Sequence, residues 1–176
     1  MTPKEHVRLI QDQILTPLGQ ALVLTDKKGN LRAFEWLDCA DRLARLLKLH
    51  YGKDVEIVEG MRLSKASLLI GKYFDGNFKA IDKIKIETNG TPFQKKLWNA
   101  LRKIPAGKTM TYAAIARKIG APSASRAVGA ANGANPISLV VPCHRLIGTN
   151  GKLTGYAGGL HRKKYLLEHE GALKTD

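Results

Sequence analysis

Cysteine is scarce in this sequence: Cys39 and Cys143 are the two among 176 residues. A small secreted fold held by disulfides typically carries at least about four, so both are expected to be unbridged thiols in a reducing compartment. The first ten residues, Met1 to Ile10, carry Lys4, Glu5, His6 and Arg8 and no apolar run. Neither a secretory signal nor a membrane span is expected from them, which points to an intracellular protein. No C-x-x-C or H-x-x-x-H spacing occurs, adjacent residues such as Cys143 and His144 rarely share one ion, and so no metal site is expected. There is no internal repeat and no low-complexity tract. Acids are the last shortage. Residues 91–176 hold 14 Lys and Arg against three Asp and Glu, whereas residues 1–90 hold 15 against 12. The formal net charge of +14 is thus concentrated in the second half. Such a surface faces a polyanion, and nucleic acid is favoured over a membrane because no basic helix here has a strongly apolar opposite face.

A chain of this length and 44% hydrophobic content can bury one good core or two small ones. Ala21–Thr25 and Leu31–Trp36 flank a Gly-Asn turn and predict a hairpin. Leu43, Leu46, Leu47 and Leu49 predict a helix from Asp38, which would cap it, to Tyr51-Gly52, which would stop it. A short strand is expected over Val55–Val58, a helix over Ser67–Phe74 and an exposed strand over Ile81–Ile86. This is a small α/β lobe of residues 1–86 in a supporting role, with a linker at Glu87–Gly90. Residues 87–176 read as mostly helical, so the whole is α+β. Thr91 and Pro92 start a helix through Phe93, Leu97, Trp98, Leu101 and Ile104, stopping at Pro105. Thr111 caps Tyr112–Ile119, and Ser123 caps a further helix to about Ala131, making a helix-turn-helix. In the second helix nearly every side chain is small, and Arg126 alone reaches far. Small residues suit close approach to a duplex better than reading of bases.

The chemistry gathers at Pro142-Cys143-His144-Arg145, which follows the apolar run Leu139-Val140-Val141, read as a buried strand. A thiol titrates near ~8.5 and needs a base or cation to react at neutral pH. His144 is the candidate base. In an extended segment neighbouring side chains point to opposite faces, which favours a bridging water over direct contact. The acids that could orient the imidazole are Glu168, Glu170 and Asp176. Gly148–Gly159 forms a glycine-rich loop around Tyr156, able to bring N–H groups to a ligand. A helix over Leu160–His169 then ends at Gly171.

Thr91-Pro-Phe-Gln, Ile104-Pro-Ala-Gly-Lys-Thr109, Thr111-Tyr112, Ser125-Arg-Ala-Val-Gly129, Asn135-Pro136, Val141-Pro-Cys-His-Arg145, Tyr156-Ala-Gly-Gly159 and Leu166-Leu-Glu-His-Glu-Gly171 occur in this order. Together they resemble the methylated-DNA–protein-cysteine methyltransferases, which repair alkylguanine. The resemblance implies single-turnover transfer of the alkyl group of 6-O-alkylguanine, with 4-O-alkylthymine as a further candidate, to Cys143. It implies His144 as water-mediated base, Glu170 as its orienting carboxylate, Tyr112 as proton donor to the departing guanine and Asn135 as support beneath the cysteine. Thr111, Ser125, Arg126, Ala127 and Gly129 would meet the minor groove, Arg126 filling the gap left by a flipped nucleotide. Val141, Tyr156, Ala157, Gly158 and Gly159 would wall the base pocket. An RNase H-like N-terminal lobe, no cofactor, a monomer acting on double-stranded DNA, and a cytoplasmic, nucleoid-associated (in a eukaryote, nuclear) location are also implied. Ala157 stands where the family often has serine, and Ser138 where some members have proline. The alternatives are a helix-turn-helix regulator without chemistry, a cysteine hydrolase, which leaves the basic half unexplained, and a damage-binding relative without transferase activity, which the cysteine disfavours.

Overall fold

The structure, a computed structural model, describes residues 6–175. Asp176, one of the acids considered for His144, and Met1–Glu5 lie outside the described residues. The chain divides into two compact units that part between Asn89 and Gly90.

The N-terminal unit is built on a four-stranded sheet of order β3-β2-β1-β4. Its strands are β1 (Val7–Thr16), β2 (Gly19–Thr25), β3 (Leu31–Trp36) and β4 (Val55–Glu59). β1, β2 and β3 are antiparallel neighbours, and β4 runs parallel to β1. Strand β1 went unread in the sequence because its alternation is interrupted by the polar Gln11, Asp12 and Gln13. Asp12 is buried there for a reason of its own: its carboxylate accepts from the Ser64 N–H at 2.8 Å and the Ser67 hydroxyl at 2.6 Å. Ala21–Thr25 of β2 are all buried, as a strand with both faces covered must be. Helix α1 (Ala40–Tyr51) packs Leu43, Leu47 and Tyr51 against Leu9, Leu22, Leu24 and Ala33. Helix α2 (Lys65–Phe74) adds the edge-to-face rings of Tyr73 and Phe74, continuous with Trp36 and Phe34.

Several local expectations give way. Asp38 does not cap α1; Leu37–Cys39 is a 3-10 turn, and the helix follows it without a side-chain cap. Leu49, counted in the apolar stripe, is exposed. Helix α2 begins at Lys65, capped by Ser64 onto the Ser67 N–H, rather than at Ser67. Ile81–Ile86 is not a strand. Phe78–Lys83 is a 3-10 helix that buries Ala80 and Ile81, and Ile86 alone bridges to Leu31. The alternation of apolar and charged residues that suggests a strand is also what a short helix shows when only one edge is buried.

In the C-terminal unit, α3 (Pro92–Arg102) opens with a full capping box, the Thr91 hydroxyl on the Gln94 N–H and the Gln94 side chain on the Thr91 N–H. It ends at Arg102, before Ile104. Helices α4 (Tyr112–Lys118) and α5 (Ser125–Gly133) follow, with Thr111 capping α4 through the Ala114 N–H. Ser123 does not cap α5, which starts at Ser125 with no side-chain cap and runs on to Gly133. Buried Trp98 of α3 donates its indole N–H to the Ala131 carbonyl of α5 at 3.0 Å. Helix α6 (Leu160–His169) covers the predicted span. Two-residue strands β5 (Met110–Thr111) and β6 (Leu146–Ile147) pair in parallel. Among the described residues no helix is long and apolar enough to cross a membrane.

The largest departure precedes the cysteine. Leu139–Val141 is not a strand but part of a turn: the Val141 N–H donates to the Ile137 carbonyl, and Leu139 takes φ +74°. The run is apolar because Leu139, Val140 and Val141 are enclosed on all sides, at 0–2% exposure. Continuous burial gives the same sequence signal whether or not a sheet provides it.

Replacing Trp98 with Phe should orphan the Ala131 carbonyl near the end of α5. A buried acceptor left without its donor costs about 1–3 kcal/mol, so the urea midpoint should fall with an unchanged denaturant slope.

Candidate active site

Cys143, His144 and Arg145 form a single 3-10 turn, all three buried. Pro142 sets it up. At φ −80° and ψ 67° it occupies the inverse γ-turn well, and the Cys143 N–H closes on the Val141 carbonyl at 2.8 Å. Proline already restricts φ to this range, so little order is lost in holding the turn. Asn135, fully buried just beyond α5, clamps the same segment twice. Its side-chain N–H donates to the Val141 carbonyl and its oxygen accepts from the Ile137 N–H, both at 2.9 Å. The extended geometry expected around the cysteine is therefore absent. The turn, and not alternation along a strand, orients Cys143 and His144.

Glu170 caps the C-terminus of α6 and reaches His144 and Arg145 together. His144 Nε2 lies 2.8 Å from Oε1. Arg145 donates through Nε to Oε2 at 3.0 Å and through a terminal N–H to Oε1 at 2.8 Å. Its other terminal nitrogen donates to the Ile104 carbonyl at 2.6 Å. Burial alone would raise the Glu170 pKa, but the His144 hydrogen bond and the bidentate Arg145 outweigh it and hold the carboxyl well below the usual range. The histidine is shifted downward. Complete burial lowers its pKa, opposed by Glu170 and reinforced by the charges of Arg145 and Lys163. The consistent state is an ionised Glu170 beside a neutral imidazole. Because the carboxylate only accepts, Nε2 carries the proton and Nδ1 keeps a lone pair. Nδ1 is buried with no hydrogen-bond partner among the described residues. Of the other acids considered, Glu168 instead lies 3.8 Å from Lys164 near the surface.

Lys163 completes the surroundings. It is fully buried and donates to the carbonyls of Leu146 at 2.5 Å and Thr154 at 2.8 Å. Burial pulls its pKa down to about 8, with the nearby Cys143 opposing the shift. The residue escaped the sequence reading, although a signal existed. Lys163, Leu166, Leu167 and Glu170 recur at helical spacing, so a lysine occupies a core position of α6. Arg145 was quoted there as part of the motif without a role.

Tyr112, the first residue of α4, is brought near the cysteine by the β5–β6 pairing, which sets Thr111 beside Ile147. Burial raises its pKa, moderated by the neighbouring polar side chains of Thr154 and Asn132, and it stays a neutral phenol. Thr111 is half-buried and engaged as the α4 cap. Ser125, Arg126, Ala127 and Gly129 all lie on the exposed side of α5, while Val128, Ala131 and Asn132 face inward. Arg126 makes no ion pair or hydrogen bond among the described residues. In the loop before α6, Tyr156 is half-buried, Ala157 exposed and Gly158 buried, its carbonyl accepting from Arg162 at 3.0 Å. Gly159 has φ +94°, and a Cβ there would lie 2.8 Å from the His161 ring. Val141 is fully buried beneath the cysteine turn. Among the described residues no cluster of His, Cys, Asp and Glu could hold a metal ion.

Residues 92–172 match the family described as 6-O-methylguanine DNA methyltransferase, DNA binding domain. The methylated-DNA–protein-cysteine methyltransferase of Salmonella typhimurium is 51% identical over 168 residues, covering 95% of this chain and 98% of that protein. Its counterpart from Mycobacterium tuberculosis is 43% identical over 167 residues, covering 94% and 92%. Among solved structures, the Mycobacterium tuberculosis protein in complex with DNA superposes with a TM-score of 0.76 at 38% identity, covering 94% of each chain. The O6-methylguanine-DNA methyltransferase of Pyrococcus kodakaraensis gives 0.69 at 26% identity, covering 93% of this chain and 99% of that one. With relatives 43–51% identical over 94–95% of the chain, and with the thiol, imidazole and carboxylate in one buried constellation, the chain belongs to the methylated-DNA–protein-cysteine methyltransferase family.

Proposed function

We propose that this protein removes the alkyl group from 6-O-alkylguanine in double-stranded DNA by transferring it to Sγ of Cys143, once per molecule. The observation that carries this reading is the buried His144–Glu170–Arg145 cluster, which holds Nε2–H on a carboxylate and leaves Nδ1, on the residue next to Cys143, with a lone pair and no partner among the described residues. The exposed small side chains of Ser125, Ala127 and Gly129 allow α5 to approach the minor groove closely, Thr111 adds a contact, and Arg126 is unengaged and long enough to fill the place of a rotated nucleotide. Rotation costs a few kcal/mol of unstacking, less for a damaged pair. The base then enters a pocket walled by Val141, Tyr156, Ala157, Gly158 and Gly159, where Ala157 can offer its backbone N–H but no hydroxyl.

In the transfer step the thiol proton passes to His144 Nδ1, through one bridging water that this lone pair can accept from. Lys163, a buried cation near Cys143, favours the thiolate. The thiolate attacks the alkyl carbon, the carbon–oxygen bond breaks as the carbon–sulfur bond forms, and guanine departs as its anion. The neutral Tyr112 hydroxyl supplies the proton the base takes up, and the phenolate so formed regains a proton, in balance with the one the His144 imidazolium then releases. Asn135 keeps the turn beneath the cysteine. A thioether has no route back to a thiol, so the protein is consumed; 4-O-alkylthymine offers the same leaving group. No cofactor is called for, since the repaired base is itself the leaving group. The protein acts as a monomer where DNA is, in the cytoplasm with the nucleoid, or in the nucleus of a eukaryote. The N-terminal unit supports the reactive C-terminal unit.

Three outcomes are expected. An oligonucleotide carrying 6-O-methylguanine should add one methyl to the protein, on the Cys143 peptide, saturating at one equivalent by intact mass; repeated turnover, or transfer by Cys143→Ser, would remove the proposal. Glu170→Gln should slow transfer by about 10²–10⁴-fold, the range of general-base contributions, with DNA affinity little changed. It should also cost about 3–5 kcal/mol by leaving Arg145 buried without its anion. The sign of its pH dependence follows from Glu170 being held low: the native pair is fully stabilising above the ordinary carboxyl value of 4.5 and is lost as pH falls below it. Thermal midpoints of wild type should fall through that acid range, while those of Glu170→Gln start lower and fall less. Lys163→Met should slow alkylation of Cys143 by iodoacetamide at neutral pH about tenfold, since a thiol without a nearby cation titrates higher.

A further inference from the structure

Away from the reactive cysteine, the N-terminal unit carries a cavity of about 290 Å³ whose rim holds Lys28, Lys65, Lys83 and Lys85 and no carboxylate. All four lysines are exposed, over a floor of buried Leu69 and Ile84. They come from three separate segments: the β2–β3 turn, the first position of α2, and the end of the Phe78–Lys83 helix with the stretch that follows it. None makes an ion pair among the described residues. Like charges gathered at one concavity repel each other, and chance solvation of a basic surface gives no reason for convergence from three segments.

The backbone under these lysines is fixed. Asp26 accepts from the Lys28 and Asn30 N–H groups at 2.9 and 3.0 Å, and its other oxygen takes Asn30 and Arg32. Asp26, the acid of that turn, is thereby fully engaged by the Lys28 and Asn30 backbone, the Asn30 side chain and Arg32. The Leu31 N–H donates to the Lys85 carbonyl at 2.8 Å and the Glu87 N–H to the Leu31 carbonyl at 3.1 Å, which pins the third segment to β3. A preorganised cluster of cations binds an anion with less ordering cost than the same lysines on a mobile loop. The lining contains no aromatic ring on which a base could stack, so it reads charge alone.

We propose that this cleft is a phosphate site for the backbone of duplex DNA, a sequence-neutral contact separate from the one made by α5. Duplex DNA presents a charge about every 1.7 Å of axis, so adjacent phosphates can engage more than one of the four ammonium groups. The proposal adds to the reading of the C-terminal unit as the reactive one, and transfer activity separates the failure of either.

The test is the full-length quadruple variant Lys28→Gln/Lys65→Gln/Lys83→Gln/Lys85→Gln, with the corresponding Lys→Arg variant as a control that keeps charge. Binding to an unmodified duplex of about 40 base pairs is measured against salt, each phosphate contact contributing about 0.9 to the slope of log K on log salt. The Gln variant should lose about two or more in slope and on the order of tenfold in affinity near physiological salt. The Arg variant should keep both, and all three proteins should transfer methyl at the same rate on saturating DNA. An unchanged slope in the Gln variant with intact transfer would overturn the proposal. If wild type binds inorganic tripolyphosphate, the Gln variant does not, and the DNA slope is unchanged, the cleft serves a free polyphosphate and the DNA assignment is wrong.

Discussion

The buried polar cluster around Cys143 is organised on one carboxylate. Glu170 accepts from His144 and, through two bonds, from Arg145, at distances of 2.8–3.0 Å. A lone carboxylate in that position would be neutralised by burial; with the guanidinium beside it, it remains an anion. As an anion it cannot donate, which decides the tautomer of His144 and leaves Nδ1 with its lone pair. Arg145, together with the His144 hydrogen bond, is what keeps Glu170 charged. Its further bond to the Ile104 carbonyl ties the cluster to the segment just beyond α3.

Around that cluster the protein holds reactive groups in place with backbone devices more than with loops free to move. Pro142 provides an inverse γ-turn, Asn135 replaces two backbone bonds that a strand would have made, and Leu139 adopts a left-handed conformation otherwise confined among the described residues to glycine. Such a conformation costs of order 1–3 kcal/mol and persists where surrounding packing determines it. Here the packing is complete burial of Leu139 and its neighbours. The β5–β6 pair links the chain before Tyr112 to the chain after Arg145, bringing together segments far apart in sequence.

Charge is distributed by task. Buried cations, Arg145 and Lys163, tune the groups near the thiol, whereas Arg126 and the lysines of the N-terminal cleft remain exposed and unpaired among the described residues. The same residue types therefore do two kinds of work. In the interior a cation sets protonation states over a few ångströms; on the surface it exchanges counterions for phosphate, an effect that salt weakens.

The amino-acid sequence by itself determined the local and the chemical: the hairpin at Asp26–Asn30, the capped start of α3, the span of α6, the basic bias of the second half and the identity of the thiol. Each of these rests on residue type or on short-range periodicity, which a chain carries wherever it is placed. It misled where burial and secondary structure give the same signal, as at Leu139–Val141 and Ile81–Ile86, and where a polar group is buried for a partner distant in sequence, as at Asp12 in β1. The tertiary structure decided which acid meets His144, which nitrogen of the ring keeps its lone pair, that Lys163 stands inside rather than on the surface, and that four lysines from three segments share one cleft. Those outcomes depend on groups far apart in the chain meeting at distances of about 3 Å, and no pattern of neighbouring residues records that.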